Sequence, residues 1–275
     1  MQVNDFENYL KIHLGSKNSI QTYMYRMKDF FTHYQEFDQT NVNAYLARLV
    51  DHNLKSGTFN LSMTACKHYS RFLKINIDFP KQKKVIKNKH KKFLTMKELE
   101  QEIFPYFDCL FSRDSDKRKL VLRLLFTSGL RPIEAVQLHE SNIDWTKNYI
   151  HVINTKDKEN RITYLCSSIQ VELKKELQKN NGTLGITKNF INYTFAVINN
   201  QLNYKMKLNP YILRHSFAHH VIKQGVGIKQ LKELMGHWDL KMTEEYLTLT
   251  TDEIMNMVKK KFKYKIGFDK KEEKK

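Results

Sequence analysis

The sequence predicts a mainly α-helical protein that also contains a small antiparallel β-sheet. Apolar residues recur at helical spacing through most of the 275 residues. Glycine and proline number only 9 and 4, fewer than β-sandwiches or propellers need for their many turns. Two neighbouring segments in the second half, NIDWTKNYIHVI and NRITYL, alternate apolar and polar residues as strands do. The chain length, at roughly 100–200 residues per domain, indicates two domains.

The first predicted domain, residues 1–80, consists of four amphipathic helices joined by short polar breaks. Each helix is recognised by a stripe of apolar residues that would share one face. The stripes are Val3, Phe6, Leu10 and Leu14; Ile20, Met24, Met27, Phe30 and Phe31; Val42, Tyr45, Leu46 and Leu49; and Phe59, Met63, Cys66 and Tyr69 to Phe72. We expect these stripes to form the core of the domain.

Residues 81–92 read KQKKVIKNKHKK, in which seven of twelve residues are lysine and apolar periodicity is absent. This composition predicts a linker. One interpretation is a stretch of charge that is simply solvated. The other is a segment that follows the DNA phosphates between two domains that clamp a duplex. The two interpretations are compatible. The candidate contacts are Lys81, Lys83, Lys84, Lys87, Lys89, Lys91 and Lys92.

The second predicted domain, residues 93–275, begins at FLTMKELE, where Thr95 and Glu98 have the spacing of a capping box. A helix through Leu120–Phe126 ends at Gly129, and a short helix over Ile133–Leu138 follows. The two strands come next, with NTKDKE as their turn. Further helices are predicted around Ile169–Leu177, Lys188–Leu202, Leu213–Gln224 and Ile228–Met235 and from Thr243 onward, before a lysine-rich tail.

The charge balance narrows the class of partner. The 47 lysine and arginine residues exceed the 29 acidic ones and leave a net charge of +18, which favours nucleic acid before an anionic membrane surface. No apolar run approaches the ~18 residues of a spanning helix, and the first residues lack the features of a secretory signal. The cysteines, Cys66, Cys109 and Cys166, are odd in number and widely spaced. We therefore expect a cytoplasmic protein with no membrane partner.

Two segments of the second domain place arginine in otherwise apolar helical surroundings. In LLFTSGLRPIEAVQL, Arg131 lies in a tight turn after Gly129, and Glu134 can orient it. In LNPYILRHSFAHH, Arg214 and His215 interrupt an apolar helix. Buried arginine is costly without a partner, so two such residues in one basic domain indicate a shared anion. A phosphodiester fits, because each guanidinium can donate two hydrogen bonds to its nonbridging oxygens.

Metal-dependent chemistry is not predicted. No acidic cluster with metal-ligand spacing accompanies the arginines, so a two-metal nuclease is not indicated. His219, His220 and His237 have the residue type of zinc ligands, but the cysteines are remote in sequence and the HExxH spacing is absent. We expect no metal and no other cofactor.

These residues resemble the tyrosine recombinase (phage integrase) family over about Leu94–Leu249. The family's motifs are a G-L-R-x-x-E turn, a lysine in a β-hairpin, an H-x-L-R-H-[ST]-F-A helix, and L-G-H with a tyrosine nine residues after its histidine. The matching segments, in the same order, are GLRPIE with Arg131 and Glu134; INTKDKENRITYL with Lys156 and, five residues later, Arg161; YILRHSFA with Arg214 and His215; and LMGHWDLKMTEEYL with His237 and Tyr246.

The resemblance implies a helical, SAM-like core-binding domain followed by an α+β catalytic domain. It implies that Tyr246 attacks the scissile phosphate and forms a 3′-phosphotyrosyl link with a free 5′-hydroxyl, without ATP or metal. Arg131 and Arg214 would hold the nonbridging oxygens. Lys156 would protonate the leaving 5′-oxygen, and His237 would donate a hydrogen bond to the phosphate or assist proton transfer.

Four residues have other implied roles or depart from the pattern. Glu134 would hold the first arginine's turn, His215 would buttress the site, and Arg161 is expected to contact DNA. Tyr211 stands where the family usually has histidine, three residues before the second arginine. A phenol titrates near 10 and an imidazole near 6.5, so Tyr211 is not assigned proton abstraction. It can still hydrogen-bond a phosphate oxygen or position the nucleophile.

The implied partner is double-stranded DNA with an inverted-repeat recombination site, bound by a homotetramer of a chain that is a monomer or dimer when free. The segment after Tyr246 would either cap its own domain or dock on a neighbouring protomer. The leading role is Xer-like resolution of replicon dimers, with a mobile-element integrase of the same family as the second. Two rival functions are a type IB topoisomerase and a non-catalytic DNA-binding protein that retains the fold.

Overall fold

The computed structural model describes residues 3–84, 93–153 and 160–236. The chain divides into two compact units, Met1–Asn88 and Lys89–Lys275, and the division falls inside the lysine-rich segment. The described residues are mostly helical with one small antiparallel sheet, which confirms the predicted fold class. None of the described helices is both long and apolar enough to cross a membrane. The predicted helix from Thr243 onward lies outside the described residues.

In the part of the first unit that the structure describes, four helices pack around an aromatic core. They are α1 (Val3–His13), α2 (Lys17–His33), α3 (Gln39–Asp51) and α4 (Ser56–Leu73). The ring of Phe30 meets Tyr45 edge-on with centroids 5.2 Å apart, and Phe6 meets Tyr69 in the same way at 4.8 Å. The predicted stripes supply this core, because helical periodicity places them on one face of each helix.

The chain beyond α4 is held back onto that helix at Lys83. The side-chain amide of Asn60 donates to the Lys83 carbonyl oxygen and accepts from the Lys83 backbone N–H, both at 2.8 Å. The Lys83 ammonium lies 4.3 Å from the ring centroid of Phe59, within the range of a cation–π contact. The start of the lysine-rich segment is therefore anchored to the first unit.

The second unit begins with the predicted capping box. Thr95 accepts from the backbone N–H of Glu98 at 3.1 Å, and the Glu98 carboxylate accepts from that of Thr95 at 2.7 Å. A π-helical segment, Leu99–Ile103, and a 3₁₀ turn, Phe104–Tyr106, follow the first short helix. The described helices are α5 (Met96–Glu98), α6 (Phe107–Leu110), α7 (Ser115–Ser128), α8 (Pro132–Val136), α9 (Gln170–Lys179), α10 (Lys188–Gln201), α11 (Pro210–Lys223) and α12 (Ile228–Met235).

The sheet contains three antiparallel strands in chain order, β1 (Ile143–Asp144), β2 (Tyr149–Val152) and β3 (Arg161–Tyr164). Val152 pairs with Arg161 at the end of the β2–β3 hairpin nearest to the segment that connects the two strands. In β3, Arg161 and Thr163 are buried and the alternate residues are exposed. The Thr163 hydroxyl donates to the Ser128 carbonyl oxygen at 2.6 Å, which fixes β3 against the end of α7.

Helix α11 joins the beginning of the second unit to its centre. The backbone N–H of Leu94 donates to the Ser216 hydroxyl at 2.8 Å, and the ring N–H of His220 donates to the Leu94 carbonyl oxygen at 3.2 Å. The Phe93 ring stacks on His219 with centroids 3.8 Å apart. The residues that directly follow the lysine-rich segment are thus anchored to the helix that carries Arg214.

Candidate active site

The first predicted arginine, Arg131, lies in a turn whose conformation depends on Gly129. Helix α7 ends at Gly129, whose φ is +64°, and an added Cβ would stand only 2.3 Å from the Phe217 ring. Glycine is therefore required here by both conformation and space. Arg131 is the N-cap residue of α8. Its backbone N–H and its guanidinium both donate to Glu134, at 2.6 and 2.8 Å, so the carboxylate orients the turn and the side chain together.

The second predicted arginine is deeply buried beside the same turn. Arg214 is 3% exposed on α11, and its guanidinium donates to the carbonyl oxygens of Gly129 and Met235. Its Nη1 atom lies 3.9 Å from the Glu134 carboxylate. The helix α11 thereby brings Arg214 to the Arg131 turn, as a shared phosphate site requires.

A third arginine, Arg161, completes the cluster. We expected Arg161 to contact DNA, but its side chain is only 5% exposed. Its Nη1 and Nη2 atoms donate to the two Glu134 oxygens at 2.8 and 2.6 Å, and its Nε donates to the Leu234 carbonyl oxygen at 2.9 Å. All three guanidinium nitrogens of Arg161 thus have partners within the chain, and its expected contact with DNA stays a prediction. The alternation of polar and apolar residues in RITY would place Ile162 and Tyr164 inside, whereas the structure buries Arg161 and Thr163, so the sequence pattern held no signal for this placement.

The three arginines converge on the end of α12. Arg161 donates to Leu234, Arg214 to Met235 and Arg131 to Gly236, which are consecutive residues. The Arg131 bond measures 2.9 Å. The last carbonyls of a helix lack partners within the helix and carry partial negative charge, so cations stabilise them. These bonds fix the backbone immediately before His237.

Glu134 balances only part of this positive charge. Burial by itself raises the pKa of its carboxyl, but the hydrogen bonds and charge of Arg161 and the bonds from Arg131 outweigh burial and lower the pKa to about 2. The carboxylate is thus ionised at neutral pH and faces three guanidinium groups. Arg131 is the most exposed of the three, at 27% of its side chain. The excess positive charge and this exposure suit the binding of an anion from solvent.

The other described candidates lie around this cluster or in the first unit. Tyr211, in the first turn of α11, is 56% exposed, and His215 is half-buried one turn further along the helix. Lys81 and Lys84 are exposed, and Lys83 is half-buried against Phe59. The remaining candidates lie outside the described residues: Lys87, Lys89, Lys91, Lys92, Lys156, His237 and Tyr246. Within the described ranges, no group of three His, Cys, Asp or Glu residues is arranged to hold a metal ion.

Comparison with known proteins shows the family of the chain. Residues 92–253 match the phage integrase family, and residues 3–75 match the N-terminal SAM-like domain of phage integrases. The tyrosine recombinase XerA of Pyrococcus horikoshii is 27% identical over 270 residues, which cover 94% of this chain and 92% of the relative.

Two solved structures share the fold. A Tn1549 transposon integrase in complex with a circular intermediate DNA aligns with a TM-score of 0.66 at 16% identity, covering 94% of this chain and 98% of that one. A lambda integrase tetramer bound to a Holliday junction aligns with a TM-score of 0.67 at 14% identity, covering 88% and 75%. Because the family match extends over more than half of the sequence, the chain belongs to the phage integrase family and is a tyrosine recombinase, an enzyme that transfers DNA strands.

Proposed function

We propose that this protein is a site-specific recombinase that cleaves and rejoins DNA through a 3′-phosphotyrosyl intermediate on Tyr246. The observation that carries the proposal is the cluster of Arg131, Arg161 and Arg214 around Glu134. A folded protein places this much positive charge around one buried carboxylate only at a cost in desolvation. A phosphodiester bound beside Arg131 offsets that charge.

The chemistry assigned to the cluster is stabilisation of a charged transition state. Arg131 and Arg214 hold the nonbridging oxygens as negative charge grows on the pentacovalent phosphorus. Donors that are already in place need no reorganisation, and each is worth several kcal/mol in such sites. The carbonyl bonds of Arg214 and the carboxylate bonds of Arg131 supply that preorganisation.

We assign the proton transfers to the residues that match the family's motifs. The Tyr246 oxygen attacks the phosphorus and passes its proton to water or to His237, the bond from phosphorus to the 5′-oxygen breaks, and Lys156 protonates the departing oxygen. His237 donates a hydrogen bond to the phosphate or assists proton transfer. Tyr211, exposed at the start of α11, hydrogen-bonds a phosphate oxygen or positions the nucleophile instead of serving as a base. His215 supports the site from the same helix.

The lysine-rich segment is assigned a sequence-independent role in DNA binding. Lys81 and Lys84 are exposed, and the backbone of Lys83 is anchored on α4 by Asn60. The other lysines are Lys87, Lys89, Lys91 and Lys92. Contacts between lysine and phosphate release counterions, so this part of the binding weakens steeply as salt rises.

We infer the assembly and the biological role from the relatives. We infer binding to double-stranded DNA with an inverted-repeat site as a homotetramer, a monomer or dimer in the absence of DNA, and a cytoplasmic location. The similarity to XerA over most of both chains favours resolution of replicon dimers. The similarity to the Tn1549 integrase favours the second candidate, a mobile-element integrase. An inverted repeat located beside a replication terminus supports the first role, and one at the end of an element supports the second.

The test is covalent trapping on a nicked suicide substrate that carries the inverted repeat found near the gene. We expect wild-type protein to form a covalent adduct, and Tyr246→Phe to abolish it while DNA binding persists, since phenylalanine lacks the attacking oxygen. Tyr264→Phe, which removes another hydroxyl from the same end of the chain, is the matched control and keeps the adduct. An adduct that persists in Tyr246→Phe contradicts the assignment.

Two controls separate the rival functions. Absence of any adduct with wild-type protein would favour a binding protein that only retains the fold. Relaxation of supercoiled plasmid without preference for a site would favour a type IB topoisomerase.

A further inference from the structure

Arg161 occupies a place in the second unit where several structural elements meet. It is the first residue of β3, its guanidinium binds Glu134 of α8, and it also binds the end of α12 through Leu234. We propose that Arg161 is a positioning residue that holds the start of β3, five residues after Lys156 in the chain, and thereby supports the role of Lys156 in the reaction. This proposal rests on the proposed function, which assigns the leaving-group proton to Lys156.

The contacts of Arg161 use the shape of the guanidinium as well as its charge. The two terminal nitrogens face the two oxygens of Glu134, while Nε faces a carbonyl oxygen on a different element. A planar fork with donors in three directions can satisfy this arrangement, whereas the ammonium group of lysine is a compact point charge. The bonds therefore define both the distance and the angle between β3, α8 and α12.

The end of α12 is fitted to the stem of the same side chain. Gly236 has φ of +57°, and a Cβ at this position would lie 2.7 Å from the Cδ atom of Arg161. The backbone thus passes directly against Arg161 in the residue before His237. Lysine also has a Cδ atom, so this contact is kept in an arginine-to-lysine substitution.

The hairpin is fixed at its base by a second contact on the same face. Thr163 donates to the Ser128 carbonyl oxygen, two residues along β3 from Arg161. Lys156 precedes Arg161 by five residues, so the strand that these two contacts hold is the strand that leads from Lys156. An error of 1 Å in the placement of a catalytic group can slow a reaction about 100-fold, and anchoring this strand limits such errors.

The charge of Arg161 also affects Arg131. Both donate to the Oε1 atom of Glu134, at 2.8 Å in each case. Because Arg161 neutralises this carboxylate, the charge of Arg131 stays available for a phosphate. A neutral residue at 161 would leave Arg131 as the main partner of Glu134 and weaken its interaction with DNA.

The test compares Arg161→Lys with Arg118→Lys in the full chain. Arg118 is a matched control, because both arginines are 8% exposed as whole residues, but Arg118 stacks on Phe190 and donates to Thr194 away from the arginine cluster. Single-turnover cleavage is measured below the unfolding temperature of each variant, per folded molecule, with saturating DNA. Two substrates are used, the ordinary phosphodiester and one with sulfur in place of the scissile 5′-oxygen, whose leaving thiolate needs no proton donor.

We expect Arg161→Lys to slow cleavage of the ordinary substrate by about tenfold or more and that of the sulfur substrate by less than about threefold. Arg118→Lys should leave the ratio of the two rates at its wild-type value, even if it lowers the unfolding temperature as much as Arg161→Lys does. Wild-type cleavage of the ordinary substrate by Arg161→Lys would overturn the proposal. Equal slowing on both substrates, or the same selective loss in Arg118→Lys, would also overturn it.

Failure of the positioning role can be distinguished from failure of the proposed function. Failure of wild-type protein to form any adduct, or trapping by Tyr246→Phe, would overturn the proposed function itself. Adduct formation by wild-type protein with equal slowing of the two substrates by Arg161→Lys would overturn only the positioning role.

Discussion

The two units of this chain treat buried ionisable groups in opposite ways. In the first unit, burial raises the pKa of the Cys66 thiol to about 12, and burial followed by the hydrogen bond to Asp29 raises the pKa of the Tyr45 phenol, so both groups stay neutral. In the second unit, Glu134 is also buried but stays charged, because arginines surround it. The core of the first unit contains neutral, packed groups. The second unit buries charged groups, whose desolvation is costly, at the proposed phosphate-binding site.

The same contrast appears between arginines of the second unit. Arg118 is buried among aromatic rings, 4.0 Å from the centroid of Phe190 and 4.5 Å from that of Phe111. Burial lowers the pKa of its guanidinium. Arg161 and Arg214 instead bond to Glu134 or to backbone carbonyls at one place. The feature that separates Arg161 and Arg214 from Arg118 is therefore convergence on one group of acceptors, since all three are buried.

The largest effect is expected from Glu134→Gln. This change removes the carboxylate that pairs with Arg161 and Arg131 and leaves their charges uncompensated, which should lower the free energy of unfolding by about 3–5 kcal/mol. Urea denaturation of the full chain, followed by circular dichroism, measures it. Glu172→Gln, at a half-exposed ion pair of Arg123, is the control and should cost less than about 1 kcal/mol. Equal effects of the two substitutions would contradict the special role that we give to the buried carboxylate of Glu134 in the second unit.

The next effect is a dependence of stability on pH that should belong to the second unit. The pKa of Glu134 is about 2 in the folded chain against an ordinary 4.5, so its contribution is complete above about pH 4.5 and is lost as the pH falls toward 2. Because each tenfold change in an ionisation constant is worth about 1.4 kcal/mol, the loss amounts to about 3 kcal/mol. The measurement is the difference in unfolding free energy between wild type and Glu134→Gln across this range. A difference that stays constant with pH would contradict the assignment.

The smallest effect is expected in the core of the first unit. Tyr45 donates to Asp29 at 2.8 Å, and Tyr45→Phe removes this bond while keeping the ring. The loss should be about 1 kcal/mol, because a single hydrogen bond contributes little net stability. Tyr25→Phe, at a side chain 63% exposed, should change almost nothing. Thermal unfolding compares the two, and covalent trapping should be unaffected in both; a selective loss of trapping in Tyr45→Phe would show that the first core also serves catalysis.

Local features of the fold could be predicted because their causes are local. The end of α7 at Gly129, the capping box of Thr95 and Glu98, and the four apolar stripes of the first unit each depend on residues within a turn or two. Lys83 shows the limit of such local prediction. Its charge is evident from the sequence, but its hydrogen bonds to Asn60 are not, because the two residues are 23 apart in the chain.

For the candidate site, the sequence alone determined the types and order of the residues, and the family match confirmed the class of enzyme. It also placed Arg131, Glu134 and Arg214 in suitable helical contexts. Only the tertiary structure decided that Arg161 is a buried partner of Glu134, 27 residues away, and that Arg131 reaches Gly236, 105 residues away. The physical reason is that periodicity and capping depend on near neighbours, whereas the pairing of a buried charge depends on which distant elements pack around it.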